Sequence, residues 1–220
     1  MVVFVTGGTG YIGQRLVTTL VARGHSIRAL VRPASANRLP DKIAAVIGNA
    51  LDEASFASAL SAGDTLVHLV GTPHPSPSKA AEFERVDLAS IRASVAAARR
   101  ASIAHLVYVS VAHPAPAMHA YVAARVAGEV SIADAKLTAT ILRPWYVIGP
   151  GHWWPLALVP FYALGELLPP TREAARRLGL VSIAQMVRAL VQAVESPPPP
   201  GTRRIVDVPA IRRAQLDAVE

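Results

Sequence analysis

A chain of 220 residues, 52% hydrophobic and only 17% charged, can bury one large α/β core and is too apolar to be disordered. It has no cysteine, which excludes disulfides and thiolate-held metals, and its seven histidines show no metal-ligand spacing, so no metal is expected. The net charge of +7 comes largely from separated arginine pairs (Arg99/Arg100, Arg176/Arg177, Arg203/Arg204, Arg212/Arg213) without interleaved aromatics. It therefore reads as solvated charge with some attraction for a phosphorylated cofactor, not as a nucleic-acid face. No basic, hydrophobic leader precedes the glycine cluster that begins at Gly7, and the cytoplasm is the expected location. Residues 144–165 carry no Asp, Glu, Lys or Arg, yet Pro150, Pro155 and Pro160 interrupt any helix that would span a membrane.

In chain order, apolar runs of strand length alternate with longer stretches of helical period. Val2 to Thr6 reads as a buried strand, followed by a helix with Ile12, Leu16, Val17 and Leu20 on one face, ended at Gly24. Strands are expected at Ser26 to Val31 and Ile43 to Ile47, then a short helix over Glu53 to Leu60 with Asp52 as N-cap. Thr65 to Val70 is the fourth strand, a helix runs from about Lys79 to Arg100, and His105 to Ser110 is the fifth. A helix near Tyr121 to Ala135 leads to a sixth strand at Thr138 to Leu142. Beyond it come the apolar, proline-broken Trp153 to Leu168, an amphipathic helix at Ile183 to Val194, and a final strand at Arg203 to Val208 after a stiff Pro197 to Pro200 spacer. Alternating strands and helices with right-handed crossovers predict a doubly wound parallel sheet with helices on both faces. One domain over 1–220 is expected, with 144–180 as a small substrate or lid region.

The chemistry concentrates in Thr6-Gly7-Gly8-Thr9-Gly10-Tyr11-Ile12-Gly13, which directly follows a strand and opens a helix. That context makes it a dinucleotide-binding turn of Rossmann type. Gly7 permits the tight turn, Gly10 lets the backbone approach a pyrophosphate, and Gly13 lets the helix pack closely, while the helix N-terminus presents amide donors. Gly7, Thr9, Gly10, Tyr11, Ile12 and Gly13 are the expected cofactor contacts here. At the end of the second strand stands Arg32, with no carboxylate before Asp41. An arginine there can fork onto the 2′-phosphate of NADP, whereas NAD sites favour an acid, so NADP(H) is favoured and NAD(H) stays possible.

The chain resembles the atypical and extended short-chain dehydrogenases, including the NAD(P)-dependent epimerase/dehydratase group and its small NAD(P)H-binding relatives. The resemblance rests on the glycine turn, Asp52, Leu66 to Gly71, Val107-Tyr108-Val109-Ser110, Tyr121-x-x-x-Arg125-x-x-x-Glu129, and Leu142-Arg143-Pro144 leading to Gly149-Pro150-Gly151. It implies that Asp52 sits near the adenine, that Val70 and Gly71 line the ribose, and that Ser110, Tyr121 and position 125 take the catalytic places. The family has lysine where this chain has Arg125. That cation holds the ribose hydroxyls and favours the tyrosinate, and bringing a tyrosine from ~10 to ~7 takes about 4 kcal/mol. The family's substrate segment follows the Gly149 turn, which makes His152, Trp153 and Trp154 substrate candidates. His113 and His119 flank the expected active-site loop between Ser110 and Tyr121, where the resemblance makes them candidate acids or bases and His113 a further substrate residue. Trp153, Trp154, Phe161 and Tyr162 would build an apolar wall or, equally, a homodimer interface. Two functions follow: an NADP(H)-dependent oxidoreductase or epimerase/dehydratase acting on a small, apolar carbonyl or alcohol, or a non-catalytic NAD(P)H sensor or assembly factor.

Overall fold

The computed structural model describes residues 1–216, and of Trp154, Phe161, Ala163 and Glu166 the backbone alone. Among these residues the strands are β1 (Val2–Thr6), β2 (Ser26–Val31), β3 (Ala44–Ile47), β4 (Thr65–His68), β5 (His105–Val109), β6 (Ala139–Leu142), β7 (Tyr146–Ile148), β8 (Leu180–Ser182) and β9 (Arg203–Val206). Seven form one sheet in the order β3-β2-β1-β4-β5-β6-β9, all pairs parallel. β7 and β8 pair separately, also in parallel. The helices are α1 (Tyr11–Ala22), α2 (Ala80–Glu82), α3 (Ala89–Ala101), α4 (His119–Asp134), α5 (Val159–Leu167), α6 (Arg172–Arg177), α7 (Ile183–Glu195) and α8 (Val208–Arg213).

The central strands are runs of Val, Leu, Ile and Phe because both faces of a parallel sheet are covered. On one face, Leu16, Val17 and Leu20 of α1 meet Met186, Leu190, Val191 and Val194 of α7 over Val3, Val5 and Val67. On the other, Ile91, Val95 and Ala98 of α3 and Ile132 of α4 cover Phe4, Leu66 and Leu106. Fully burying each such aliphatic side chain contributes about 1.5–3 kcal/mol. The strand order reverses at β1, which has β2 on one side and β4 on the other, so a crevice opens beyond the carboxyl ends of β1 and β4.

The expected strands and helices form within a few residues of their predicted ends, and the differences have local causes. The Leu69 N–H still bonds Thr6 O at 3.0 Å, after which the chain leaves the sheet, so β4 is shorter than the apolar run suggests. The short helix after Asp52 is two 3₁₀ turns, Glu53–Ser55 and Ala57–Ala59, with Asp52 Oδ1 accepting from Ala54 N at 3.1 Å. The long helix contains a π-helical insert, Phe83–Leu88, joining α2 to α3. Three residues each are too few for β7 and β8 to show a period, and the sequence reading passes over both.

Candidate active site

The glycine turn is held by contacts that only glycine allows. Gly7 has φ +78°, and a Cβ there would lie 2.9 Å from the carbonyl carbon of Leu69. A Cβ on Gly13 would stand 2.2 Å from Gly7 O. Gly10 is the N-cap of α1, with no side-chain cap and no acidic residue in the first turn. The first amides of α1 are thus not capped by a side chain, and the dipole favours an anion there. Ile12 packs into the core behind the turn. The Tyr11 ring turns away to meet the His152 ring at 4.4 Å and carries the Arg15 guanidinium 4.5 Å from its centre. Its hydroxyl is buried without a hydrogen bond, over Gly149, where a Cβ would come within 2.4 Å of it.

At the end of β2, Arg32 is exposed and N-caps a 3₁₀ turn, Pro33–Arg38. That turn carries a second cation back to the glycines: Arg38 Nη2 donates to Thr9 O at 3.0 Å. Sequence reasoning missed Arg38, although an arginine six residues past Arg32 in a capped turn was a usable signal. Asp52 is exposed, with a carboxylate oxygen bonded to the Ala54 amide.

Beyond the carboxyl ends of β4 and β5, Arg125 is drawn inward. Its side chain is only 6% exposed and pairs with Asp87 at 2.7 Å, while Nη1 donates to Val109 O at 3.0 Å. Asp87, fully buried on the π-helical insert, also accepts from Thr72 N at 2.9 Å and Thr72 Oγ1 at 2.6 Å. The insert thereby aims a carboxylate at α4, and its Phe83 ring meets Tyr121 edge-on at 5.1 Å. Gly71 is where the guanidinium crosses: a Cβ there would be 2.1 Å from Arg125 Nη2. The guanidinium carbon lies 5.2 Å from the centre of the Tyr121 ring and 5.9 Å from that of Tyr108. Burial works against its charge, but Tyr121, Tyr108 and Asp87 outweigh it and hold the pKa above the ordinary arginine value.

Behind this pair lies a buried polar column. His68 Nδ1 is 2.9 Å from both Thr6 Oγ1 and Ser94 Oγ, and burial, with Arg125 nearby, lowers its pKa to about 3. Burial likewise raises the Tyr108 hydroxyl to about 12, against the pull of Arg125.

Ser110 is 2% exposed and donates to Glu129 Oε1 at 2.5 Å. Glu129 is gripped on both oxygens by Arg143, and His113 Nε2 lies 3.6 Å away. His113 and Arg143 line a second cleft with Arg176 and Arg177. Tyr121 lines a cleft of about 330 Å³ together with His74, Met118, Trp145, His152 and Pro155. In that cleft the His74 and His152 rings stack at 5.4 Å. Tyr121 and His152 therefore share one cleft, and Ser110 and His113 belong to the Glu129–Arg143 network. Val70 and Gly71 follow β4 at the crevice, half-buried. Trp153 is 54% exposed, and the Trp154 side chain lies outside the described residues. Among the described residues no group of acids and histidines could hold a metal, and no helix is long and apolar enough to cross a membrane.

These features match known proteins. The family model for NAD(P)H-binding covers residues 7–149. The chain is 27% identical to a ceramide reductase of Caulobacter vibrioides over 89% of its own length and 62% of the relative's. It is 30% identical to a 4-hydroxy-2-methyl-3-oxo-4-farnesyl-3,4-dihydroquinoline-1-oxide ketoreductase of Stigmatella aurantiaca, over 66% and 50%. It is 31% identical to a 3-diazoavenalumate denitrifying reductase of a Streptomyces species, over 89% and 73%. The chain thus spans between half and two thirds of the first two relatives. Among solved structures, a UDP-galactose 4-epimerase superposes with TM-score 0.69 at 18% identity, covering 94% of this chain and 76% of that one. A short-chain dehydrogenase/reductase superfamily protein from Agrobacterium tumefaciens with bound NAD gives 0.68 at 16%, covering 96% and 81%. With the glycine turn, the seven-stranded sheet and the family model in agreement, the chain belongs to the NAD(P)H-binding family.

Proposed function

We propose that the protein is an NADP(H)-dependent reductase of a small, apolar carbonyl compound, with residues 144–180 as its substrate region. The observation that carries the cofactor choice is the pair Arg32 and Arg38 on the turn after β2, one exposed and one bonded to the glycine turn, where an NAD site would place a carboxylate. The glycine turn fits a pyrophosphate because its cradle is closed to any Cβ at Gly7 and Gly13 and the start of α1 carries no acid. Gly7, Thr9, Gly10 and Gly13 would hold the pyrophosphate, Arg32 and Arg38 the 2′-phosphate, and Val70 and Gly71 the ribose.

The nicotinamide, when bound, supplies or accepts hydride. Tyr121 donates the proton to the carbonyl oxygen, so that hydride on carbon and proton on oxygen yield an alcohol. The Arg125 guanidinium lies against the Tyr121 ring, 5.2 Å from its centre, and holds the ring's place at the cleft. Ser110 acts through Glu129, tying α4 to the end of β5 and so seating Tyr121. Trp145, Met118, Val147 and Pro155 make the cleft apolar, as suits relatives named for ceramide and for a farnesylated quinoline. The Arg125–Asp87 pair favours a second reading, a non-catalytic NAD(P)H-binding protein, because the guanidinium is bound to protein atoms and not free for ribose hydroxyls.

Fluorescence titration with NADPH and NADH tests the cofactor reading. The parent should prefer NADPH, and Arg32→Asp should reverse the order by removing a contact worth about 1.5–3 kcal/mol. Equal affinities in the parent protein refute it.

A further inference from the structure

His25, His68 and His105 each turn a ring nitrogen to a protein partner, Glu195 at 3.0 Å, Thr6 at 2.9 Å and Thr140 at 3.0 Å. His74 and His152 do not. Their rings stack in the wall of the Tyr121 cleft, 5.4 Å apart and 13° from parallel, and among the described residues neither imidazole gives or takes a hydrogen bond. His152 Nδ1 is buried nonetheless. A buried polar atom without a partner keeps the full cost of its lost water, and at a cleft wall a ligand can make the missing bond.

Three segments far apart in the chain bring the pair together. His74 lies in the loop after β4 and takes a left-handed backbone, φ +48°, which is uncommon outside glycine. Lys79 Nζ braces that loop by donating to Pro73 O at 2.7 Å. His152 belongs to the turn after β7, where its N–H donates to Gly149 O at 2.8 Å. From the glycine turn, Tyr11 sets its ring 4.4 Å from that of His152. His152 is thus held by ring contacts to both other segments, so little side-chain freedom is lost when it meets a ligand.

The rest of the cleft decides what the pair can select. Val111, Met118, Trp145, Val147 and Pro155 are apolar, and Tyr121 supplies the proton for the reacting carbonyl in the proposed reaction. A ketone with no other polar group would fill the cleft, strip water from two imidazoles and leave them unpaired. A second oxygen on the same molecule restores the bond. Because a neutral imidazole presents both an N–H and a lone pair, a hydroxyl or a keto oxygen can meet it. A site that binds a polar group rejects the analogue lacking it far more strongly than an apolar wall rejects a misfit in size. We propose that His74 and His152 are the specificity pair of this cleft and that the substrate is difunctional, carrying beside the reacting carbonyl a hydroxyl or keto oxygen that these imidazoles hold. This rests on the reading of the cleft as the site of carbonyl reduction.

Isothermal titration calorimetry of the full chain with butyrophenone, 1-phenylbutane-1,2-dione and 1-phenylbutane-1,3-dione tests this, since the three share one carbon skeleton and differ in the second oxygen. At least one dione is expected to bind about tenfold or more tighter than butyrophenone. His74→Phe with His152→Phe keeps two aromatic rings without their nitrogens and should bring that ratio close to one, with circular dichroism matching the parent. A merely structural role would weaken all three ligands together and leave the ratio standing. Butyrophenone binding as tightly as both diones, no binding of any of the three, or a ratio that the double substitution leaves unchanged overturns the specificity pair. Turnover with NADPH keeps the two claims apart. A dione preferred through the imidazoles but not reduced sinks the reductase reading alone, whereas butyrophenone reduced by the parent and not by Tyr121→Phe, with no preference for a dione, sinks the specificity pair alone.

Discussion

Replacing Asp87 by asparagine should be among the most damaging single changes in the protein. The Asp87 side chain is wholly buried, and Arg125 opposite is 6% exposed, so Asp87→Asn leaves a guanidinium in the interior without its counter-charge. Breaking a buried pair from one side costs about 3–5 kcal/mol, a large part of the roughly 5–15 kcal/mol that holds a typical domain together. Arg125→Met should cost a similar amount by leaving the Asp87 carboxylate unpaired. Asp87→Leu with Arg125→Met removes both charges and leaves unpaired only neutral groups, the Thr72 amide and hydroxyl and the Val109 carbonyl, each a smaller penalty than an unpaired buried charge. The double variant should therefore be more stable than either single one, with a strong favourable coupling. Urea denaturation of the four proteins, comparing midpoints at constant slope, measures this. Single substitutions costing under about 1 kcal/mol each, or costs that simply add, would refute a tightly coupled buried pair.

Burial holds His68 at about 3 and His105 at about 4 in the folded protein, the latter with Arg204 nearby. The unfolded chain takes up these protons as pH falls below about 6.5 and the folded chain does not, so stability is lost between about pH 6.5 and 4. At pH 5 each histidine should remove about 2 kcal/mol, and urea midpoints that coincide at pH 7.5 and pH 5 would contradict the burial argument. Tyr121→Phe should lower turnover of a carbonyl substrate by roughly 10²–10⁴ while NADPH affinity stays level. Full turnover in that variant removes Tyr121 from the mechanism. Gly13→Ala places a Cβ 2.2 Å from Gly7 O, which must push α1 off the turn, so NADPH affinity should fall at least tenfold by fluorescence titration. Arg38→Ala should weaken NADPH more than NADH, and equal losses for both would mean that Arg38 only braces Thr9.

What the sequence by itself determines is whatever is encoded over a few neighbouring residues. Val2 to Thr6 followed by Gly7, Gly10 and Gly13 specifies strand, turn and helix, because the positive φ of Gly7 and the contact of Gly13 with Gly7 O are local demands that glycine alone meets. The helical period of Leu16, Val17 and Leu20 and the alternation of strands with helices specify the doubly wound sheet for the same reason. The family resemblance could be read from the same stretches. The tertiary structure alone decided where the polar side chains turned. Tyr121 and Ser110 lie eleven residues apart, yet one faces the cleft and the other Glu129, because Ser110 can reach a carboxylate already held by Arg143. Arg125 is four residues past Tyr121, as the motif requires, but a π-helical insert about forty residues upstream offers it Asp87, and a buried guanidinium goes to its counter-charge. Arg38 reaches Thr9 across 29 positions and β7 finds β8 across 34, pairings made between segments that no local pattern relates. Periodicity records which face of an element is buried; the partner a charged group meets is set by which segments the fold brings together.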